Sequence, residues 1–287
     1  MAAMDEWPTG RIERLGPLVR RLLAPNPSPF TFTGTQTYVI GEGEVAIIDP
    51  GPDVAAHVEA LLAAIRDERV AAIVCTHTHR DHSPASRAVR AATGAPIVGC
   101  AALALDDEGP RADDAFDVDY SPDRVLGDGD RIAGPGWTLE AVATPGHTSN
   151  HLCFALPEAS ALFSGDHVMG WSTTVVAPPD GDMADYMASL ERLRTRAERL
   201  YYPAHGPAIT DPQAHLDRLI AHRRGRERQI LDLLREGQQA IPPMVEIIYR
   251  DVDSRLHPAA ARSVLAHLID MHSRGLVRRA GEAWQPA

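Results

Sequence analysis

The segment His77-Thr78-His79-Arg80-Asp81-His82 places four side chains able to ligate a metal within six residues. It directly follows the apolar run Val70-Ala71-Ala72-Ile73-Val74-Cys75, which puts it on the loop that leaves a buried strand and enters a helix near Pro84. Alternate residues of an extended segment project to one side, so His77 and His79 can share one ion. The helical turn that follows directs Asp81 and His82 toward a second ion. A purely structural explanation is costly, because each of these groups would carry a desolvation penalty if buried without a partner. A lone histidine at a strand end is ordinarily a surface or hydrogen-bonded residue, but three further segments coincide with this one. Pro145-Gly146-His147-Thr148, Ser164-Gly165-Asp166 and Pro203-Ala204-His205-Gly206 each follow an apolar run and end it with one imidazole or carboxylate. Each also carries a glycine that permits close backbone approach.

The elements that must position these groups are strands. Strand-like runs recur at Tyr38–Ile40, Val45–Ile48, Val70–Thr76, Ile97–Gly99, Trp137–Val142, Leu152–Ala155, Ala161–Phe163 and Leu200–Tyr202. Helical patterns lie between them, one with Val54, Val58, Leu61, Leu62 and Ile65 on a single face and another from Met183 to about Glu198. Antiparallel meanders mixed with β-α connections predict a layered α/β domain with helices outside, rather than a purely parallel doubly wound sheet. After Asp211-Pro212 the strands stop. Helical segments are expected at 213–236, 242–250 and 258–274, and then Gly275–Arg279 can pair with Ala283-Trp284-Gln285 as a hairpin. Helix, helix, helix, hairpin is a winged-helix order, so the expected division is a catalytic domain over 1–212 and a winged-helix-like domain over 213–287.

Composition excludes other classes. A hydrophobic share of 44% and a charged share of 23% are ordinary for a globular chain. No apolar run approaches the roughly 18 to 20 residues that span a bilayer. The first dozen residues lack a basic start followed by an apolar stretch, which reads as no export signal. The three cysteines, Cys75, Cys100 and Cys153, are widely spaced and form no C-x-x-C pair, so neither a disulfide framework nor a cysteine zinc knuckle is expected. Together these point to a cytoplasmic protein. The net charge of −11 argues against broad capture of nucleic acid. Twelve arginines against nine acidic residues from Gln213 onward leave that part at +3.

The hexad matches the H-x-H-x-D-H motif, and with the three later segments the whole chain resembles the metallo-β-lactamase superfamily. Within it the likeness is to the β-lactamase-like protein 2 group, which includes an endoribonuclease. It is carried by Gly34-Thr35-Gln36-Thr37-Tyr38, Thr144–Thr148, Phe163–Asp166, Asp185-Tyr186-Met187 and Tyr202–Pro207, and in the C-terminal part by Ile247-Ile248-Tyr249 and Leu265–Leu268. The resemblance implies an αββα sandwich, two mixed sheets face to face with the metals at one edge, and a C-terminal winged helix. It also implies that His77, His79 and His147 hold a first metal, that Asp81, His82 and His205 hold a second, and that Asp166 bridges them. Two zinc ions are expected, although histidine and carboxylate sites also accept manganese or iron.

Two such ions about 3.5 to 4 Å apart can share a water and lower its pKa from about 15.7 toward about 7. That hydroxide is the expected nucleophile, with Asp81 and Asp166 as the catalytic carboxylates, Asp81 orienting the hydroxide and returning a proton to the leaving group. Because the second set contains no thiolate, antibiotic hydrolysis is not the expected native role. A small ester or thioester is the expected substrate, and single-stranded RNA is the alternative, for which Arg223, Arg224, Arg226 and Arg228 would be phosphate contacts or simply a solvated helix face. A one-iron persulfide dioxygenase is disfavoured by the complete second set. Asp49, which ends a strand before Pro50-Gly51, is a turn former or, as the resemblance implies, an aspartate that orients a ligand histidine. His151 and His167 adjoin ligands, as pocket residues or as satisfied histidines behind them. Ser172, Thr173 and Thr174 lie on a loop just after Asp166, where they could touch substrate, but plain loop is the expected reading. The C-terminal domain is expected to shape access to the site, or to mediate a homodimer.

Overall fold

The structure is a computed structural model that describes residues 7–103 and 116–287. It divides into two compact units, one formed by Met1–Thr144, Asn150–Ser172 and Ala197–Pro212, the other by Pro145–Ser149, Thr173–Arg196 and Gln213–Ala287.

The first unit is built on two sheets. One is seven-stranded, in the order β1 (Glu13–Arg14), β2 (Val19–Leu23), β3 (Gln36–Glu42), β4 (Glu44–Ile48), β5 (Arg69–Cys75), β6 (Ile97–Gly99) and β7 (Arg124–Val125). It is antiparallel as far as β4 and parallel from β4 to β7. The connections from β4 to β5 and from β5 to β6 run through α1 (Ala55–Ala64) and α2 (Ala85–Thr93), as a β-α-β crossover requires. In and beside α1, Val58, Leu61 and Ile65 are buried, while Val54 and Leu62 are only partly covered. The other sheet has five strands, β8 (Arg131–Gly134), β9 (Trp137–Ala143), β10 (Leu152–Leu156), β11 (Ala161–Gly165) and β12 (Leu200–Pro203), in the order β12-β11-β10-β9-β8. All its pairs are antiparallel except β11 with β12.

One apolar cluster draws on both sheets, with Val39, Ile47 and Ile73 from the first and Leu139, Phe154 and Phe163 from the second, all at most 1% exposed. Each such side chain contributes roughly 1.5 to 3 kcal/mol by leaving water. Tyr38, Phe163 and Tyr202 pack together in the core with ring centroids 5.0 to 5.6 Å apart, Phe163 and Tyr202 stacked and Tyr38 tilted against both. Strand direction decides where chemistry gathers. In the second sheet β9, β11 and β12 run the same way and β10 runs against them, so one edge receives three strand ends and the start of β10. In the first sheet β4 and β5 end where β3 begins, since Tyr38 pairs with Ile48 and Ile48 with Val74. The two edges are tied together. Gln36 donates from its backbone N to Ala204 O and from Nε2 to Pro203 O and Gly206 O, and the Tyr38 hydroxyl donates to Pro203 O at 2.6 Å.

The second unit holds α3 (Met183–Arg194) and α4 (Pro212–Arg235), followed by α5 (Ile241–Ile248), α6 (His257–Ser273) and the hairpin of β13 (Val277–Ala280) with β14 (Ala283–Pro286). The C-terminal order matches the winged-helix expectation. Its own core comprises Ile230, Leu233, Leu234, Met244, Val245, Val264, Leu268, Met271, Val277 and Trp284. Asp182 caps α3 by accepting from Asp185 N. Among the described residues no helix is long and apolar enough to cross a membrane.

Candidate metal centre

The strand ends deliver six of the seven expected ligands to the edge of the first unit. His77 and His79 follow β5, Asp166 follows β11, His205 follows β12, and Asp81 and His82 lie on the turn before α2. His77, His79 and Asp166 each offer a ligand atom within 4.8 Å of the others, and so do Asp81, His82 and His205. Nε2 of His77 faces Nδ1 of His79 at 2.9 Å. Asp166 Oδ1 lies 3.5 Å from His82 Nε2 and 3.2 Å from His205 Nε2, so this carboxylate belongs to both sets. Asp81 Oδ2 is 3.3 Å from His82 Nε2 and 3.2 Å from His205 Nε2.

The rings are held from behind. His82 Nδ1 donates to Asp49 Oδ2 at 2.9 Å, and His205 Nδ1 donates to Gly34 O at 3.2 Å. Each bond assigns the ring hydrogen to Nδ1 and turns the Nε2 lone pair toward the carboxylates. Asp49 also accepts from Thr76 N and Thr76 Oγ1, each at 2.8 Å, and the Thr76 hydroxyl in turn accepts from His77 Nδ1 at 3.0 Å. One carboxylate thus sets the tautomer of a histidine in each set. It does so from a left-handed backbone, φ +47°, a conformation that costs energy in a non-glycine residue and tends to persist at functional positions. Asp49 is therefore not just a turn former. Thr35 Oγ1 donates to Asp81 Oδ2 at 3.1 Å, which fixes that carboxylate and leaves Oδ1 as its other acceptor.

Electrostatics follow from this packing. Burial disfavours charge on His205, yet Asp166 and then Asp81 outweigh it and push its pKa up to about 10. Burial likewise opposes charge on His82, but Asp81, Asp166 and Asp49 raise its pKa well above the usual value. Burial would raise both aspartates; His82 and His205 instead hold Asp81 and Asp166 well below the usual carboxylate range. Anionic oxygens crowded against imidazole nitrogens need cations between them, and protons are the poorer substitute. His82 Nε2 is buried and makes no hydrogen bond, as a metal ligand atom should. The residues therefore fit divalent metal.

His147 belongs to the second unit, in the loop Pro145–Ser149, whose chain leaves and re-enters the first unit at Thr144 and Asn150. Its Nδ1 donates to Val175 O at 2.7 Å with the Thr174 hydroxyl 3.2 Å away, so it too presents Nε2. Gly146 lets the loop sit against α3, because a Cβ there would lie 2.3 Å from Tyr186 Cα. His151 is no ligand. Asp166 N donates to its Nε2 at 3.2 Å while its Nδ1 bonds the Thr144 hydroxyl at 2.9 Å, so it anchors the backbone of the shared aspartate. Gly165 makes room for this, since a Cβ there would lie 2.6 Å from His151 Nε2. His167 is fully buried beside His151, ring centroids 5.7 Å apart, outside both ligand groups.

Two expectations require correction. Thr174 is not plain loop, being buried and in contact with His147. Arg223 is neither a solvated residue nor a phosphate contact, because it is only 3% exposed. Arg226 stacks over the Tyr249 ring at 4.2 Å and Arg224 pairs with Glu191, so these arginines are engaged inside their own unit. The residues that sequence reasoning missed are Thr76, Gly34, Thr35 and Val175, which act through a hydroxyl or a carbonyl. For Gly34 and Thr35 a signal existed, as both lie in the Gly34–Tyr38 segment. All three cysteines are buried thiols outside any disulfide.

A two-sheet αββα sandwich whose strand ends gather histidines and aspartates defines a class of metal-dependent hydrolases, and the sequence agrees. Residues 30–205 match the Metallo-beta-lactamase superfamily, and the chain belongs to it as a metallo-β-lactamase-fold hydrolase. Residues 241–284 match the beta-lactamase associated winged helix domain, which makes the C-terminal elements a winged helix. Among curated relatives, a beta-lactamase-like protein 2 homolog of Caenorhabditis elegans is 34% identical over 274 residues, covering 93% of this chain and 88% of the relative. An atrochrysone carboxyl ACP thioesterase of Aspergillus chevalieri is 33% identical over 264 residues, covering 90% of this chain and 79% of the relative. The fold is shared with a metallo-beta-lactamase family protein of Thermus thermophilus, with a TM-score of 0.76 and 24% identity over 96% of this chain and 100% of that one.

Proposed function

We propose that the chain is a binuclear zinc hydrolase acting on a small ester or thioester, with residues 1–212 as its catalytic domain and 213–287 as the appended winged-helix domain. The observation that carries this reading is Asp166, whose carboxylate groups with His77 and His79 and also meets His82 and His205. The family resemblance assigns His147 as the third imidazole of the first set, and Asp81, His82 and His205 group as the second. When bound, the ions supply a water deprotonated at neutral pH and polarise the acyl oxygen.

The remaining work falls to the chain. Asp166 fixes the spacing between the two sets. Asp81, held by Thr35 through Oδ2, has Oδ1 to orient the attacking water and to pass a proton to the departing alcohol or thiol. Nitrogen and oxygen donors without thiolate suit zinc, and the relative named as an acyl-carrier thioesterase supports the thioester class. RNA is the weaker reading, since Arg223 and Arg226 are packed inside their unit.

The test is a panel of acyl thioesters and esters beside a labelled single-stranded RNA, assayed with chelator-stripped protein reloaded with zinc or manganese, together with elemental analysis of untreated protein. Thioester turnover lost on stripping and restored by metal is the expected result. Metal-dependent RNA cleavage with no thioesterase or esterase turnover would overturn the substrate assignment, and protein that binds no metal would overturn the centre.

A further inference from the structure

We propose that Arg223 of α4 is a positioning residue for His147, so that the C-terminal helices help to set the geometry of a metal ligand; this rests on the assignment of His147 as a ligand. Among the described residues no carboxylate pairs with Arg223, its Nε makes no hydrogen bond, and it is 3% exposed. A guanidinium buried in this way is expensive unless something specific holds it. Its Nη2 donates to Thr174 O, and its plane lies over the Tyr186 ring with Cζ 5.0 Å from the centroid.

Both partners lead to His147. Thr174 and its neighbour Val175 supply the hydroxyl and the carbonyl that fix the His147 ring. Tyr186 is the residue against which Gly146 packs. The rest of the loop is clasped by the same unit, through Asp182 N to Gly146 O at 3.0 Å, Ser189 Oγ to Pro145 O at 2.8 Å and Ser149 N to Asp180 Oδ1 at 3.1 Å. Arg223 thus pins the segment that aims His147 and the aromatic ring that backs its loop. Arg226, one helical turn on, is its natural control, because it stacks on Tyr249 and bonds Ile248 O, away from the loop.

The experiment titrates chelator-stripped full-length protein with Zn2+ against a chromophoric chelator and with Co2+ by visible absorption, for wild type, Arg223→Met, Arg223→Lys, Arg226→Met, His147→Ala and the double variant Arg223→Met/His147→Ala. Methionine replaces the buried charge with apolar bulk, so the melting temperature of the stripped protein should hold or rise. Affinity for one metal equivalent should nevertheless fall about tenfold, with a changed Co2+ ligand-field spectrum, because the group that orients a ligand has been released. The same substitution should add little to His147→Ala, and Arg226→Met should keep wild-type affinity. A folded Arg223→Met protein with wild-type affinity and spectrum, or a loss that adds in full to that of His147→Ala, would overturn the proposal. Should the methionine variant not fold, Arg223→Lys carries the test, with a loss of about threefold expected, since an ammonium cannot both reach Thr174 and cover the ring; no loss overturns it. If His147→Ala itself leaves both affinities intact, the ligand assignment fails instead, and the two failures are distinct.

Discussion

Asp49→Asn is the sharpest test of the centre, because it changes one atom and leaves the shape of the residue alone. The carboxylate accepts three hydrogen bonds, from Thr76 N on Oδ1 and from Thr76 Oγ1 and His82 Nδ1 on Oδ2. An amide offers one acceptor and one donor. If its oxygen keeps Thr76 N, its NH2 faces the His82 ring and the Thr76 hydroxyl. His82 must then carry its hydrogen on Nε2, which removes the lone pair from the metal, and the Thr76 hydroxyl loses its acceptor and with it the orientation that receives His77 Nδ1. If the amide is flipped, two N–H groups oppose each other in a fully buried place, at a cost of about 1 to 3 kcal/mol. Asparagine tolerates the left-handed backbone about as well as aspartate, so φ does not confound the result. Removing such a supporting partner weakens metal binding by about 10- to 100-fold, or about 1.4 to 2.7 kcal/mol. Competition with a chromophoric chelator measures each equivalent separately, and the expected loss is larger for the equivalent held by His82. Wild-type affinity for both ions in a folded Asp49→Asn protein would refute the tautomer argument.

Three further outcomes follow from the same geometry. Thr76→Val keeps the Asp49–His82 bond but cuts the link to His77, so chelator competition should find the first-set ion weakened and the second nearly unchanged; equal losses at both would contradict the relay. Gly146→Ala drives a Cβ into the α3 backbone at φ +132°, and should cost more than about 1 to 3 kcal/mol in denaturant melts together with loss of metal at the His147 set; a variant with unchanged stability would contradict the packing. His267 is buried, and burial, then Arg223, Arg226, His222 and Arg274, lower its pKa to about 3, below its unfolded value of 6.5. The unfolded chain therefore binds the extra proton, so the contribution of His267 is intact above pH 6.5 and lost as pH falls toward 3. From pH 7 to 5 that loss is about 2 kcal/mol, and His267→Gln should remove that much of the pH dependence in melts of chelator-stripped protein; parallel pH dependences would refute it.

What was legible beforehand was legible because strand ends are chemically marked. A buried apolar run followed within three residues by histidine or aspartate has few structural explanations, and this points to His77, Asp166 and His205. The eight strands read from apolar runs are all present. Those missed lack an apolar run: Val19–Leu23 has arginines at its centre, with Arg20 tucked against Glu68 at 2.8 Å, Arg131–Gly134 is four residues with none buried, and Glu13–Arg14 and Arg124–Val125 are two residues each and exposed. The support behind the ligands was illegible for a different reason. Gly34 and Val175 contribute carbonyl oxygens, which every residue possesses, and Thr76 contributes a hydroxyl of ordinary type.

Arg223 was misread because a run of arginines on a helix almost always faces water, and nothing in the run itself reveals that one guanidinium turns inward toward Thr174. Only packing distinguishes it from Arg224, one residue away and paired with Glu191. The sequence thus announces a ligand set through residue type and spacing. The orientation of each ligand ring is decided by backbone atoms and by side chains whose burial depends on the whole fold, and that orientation determines whether a lone pair faces the metal.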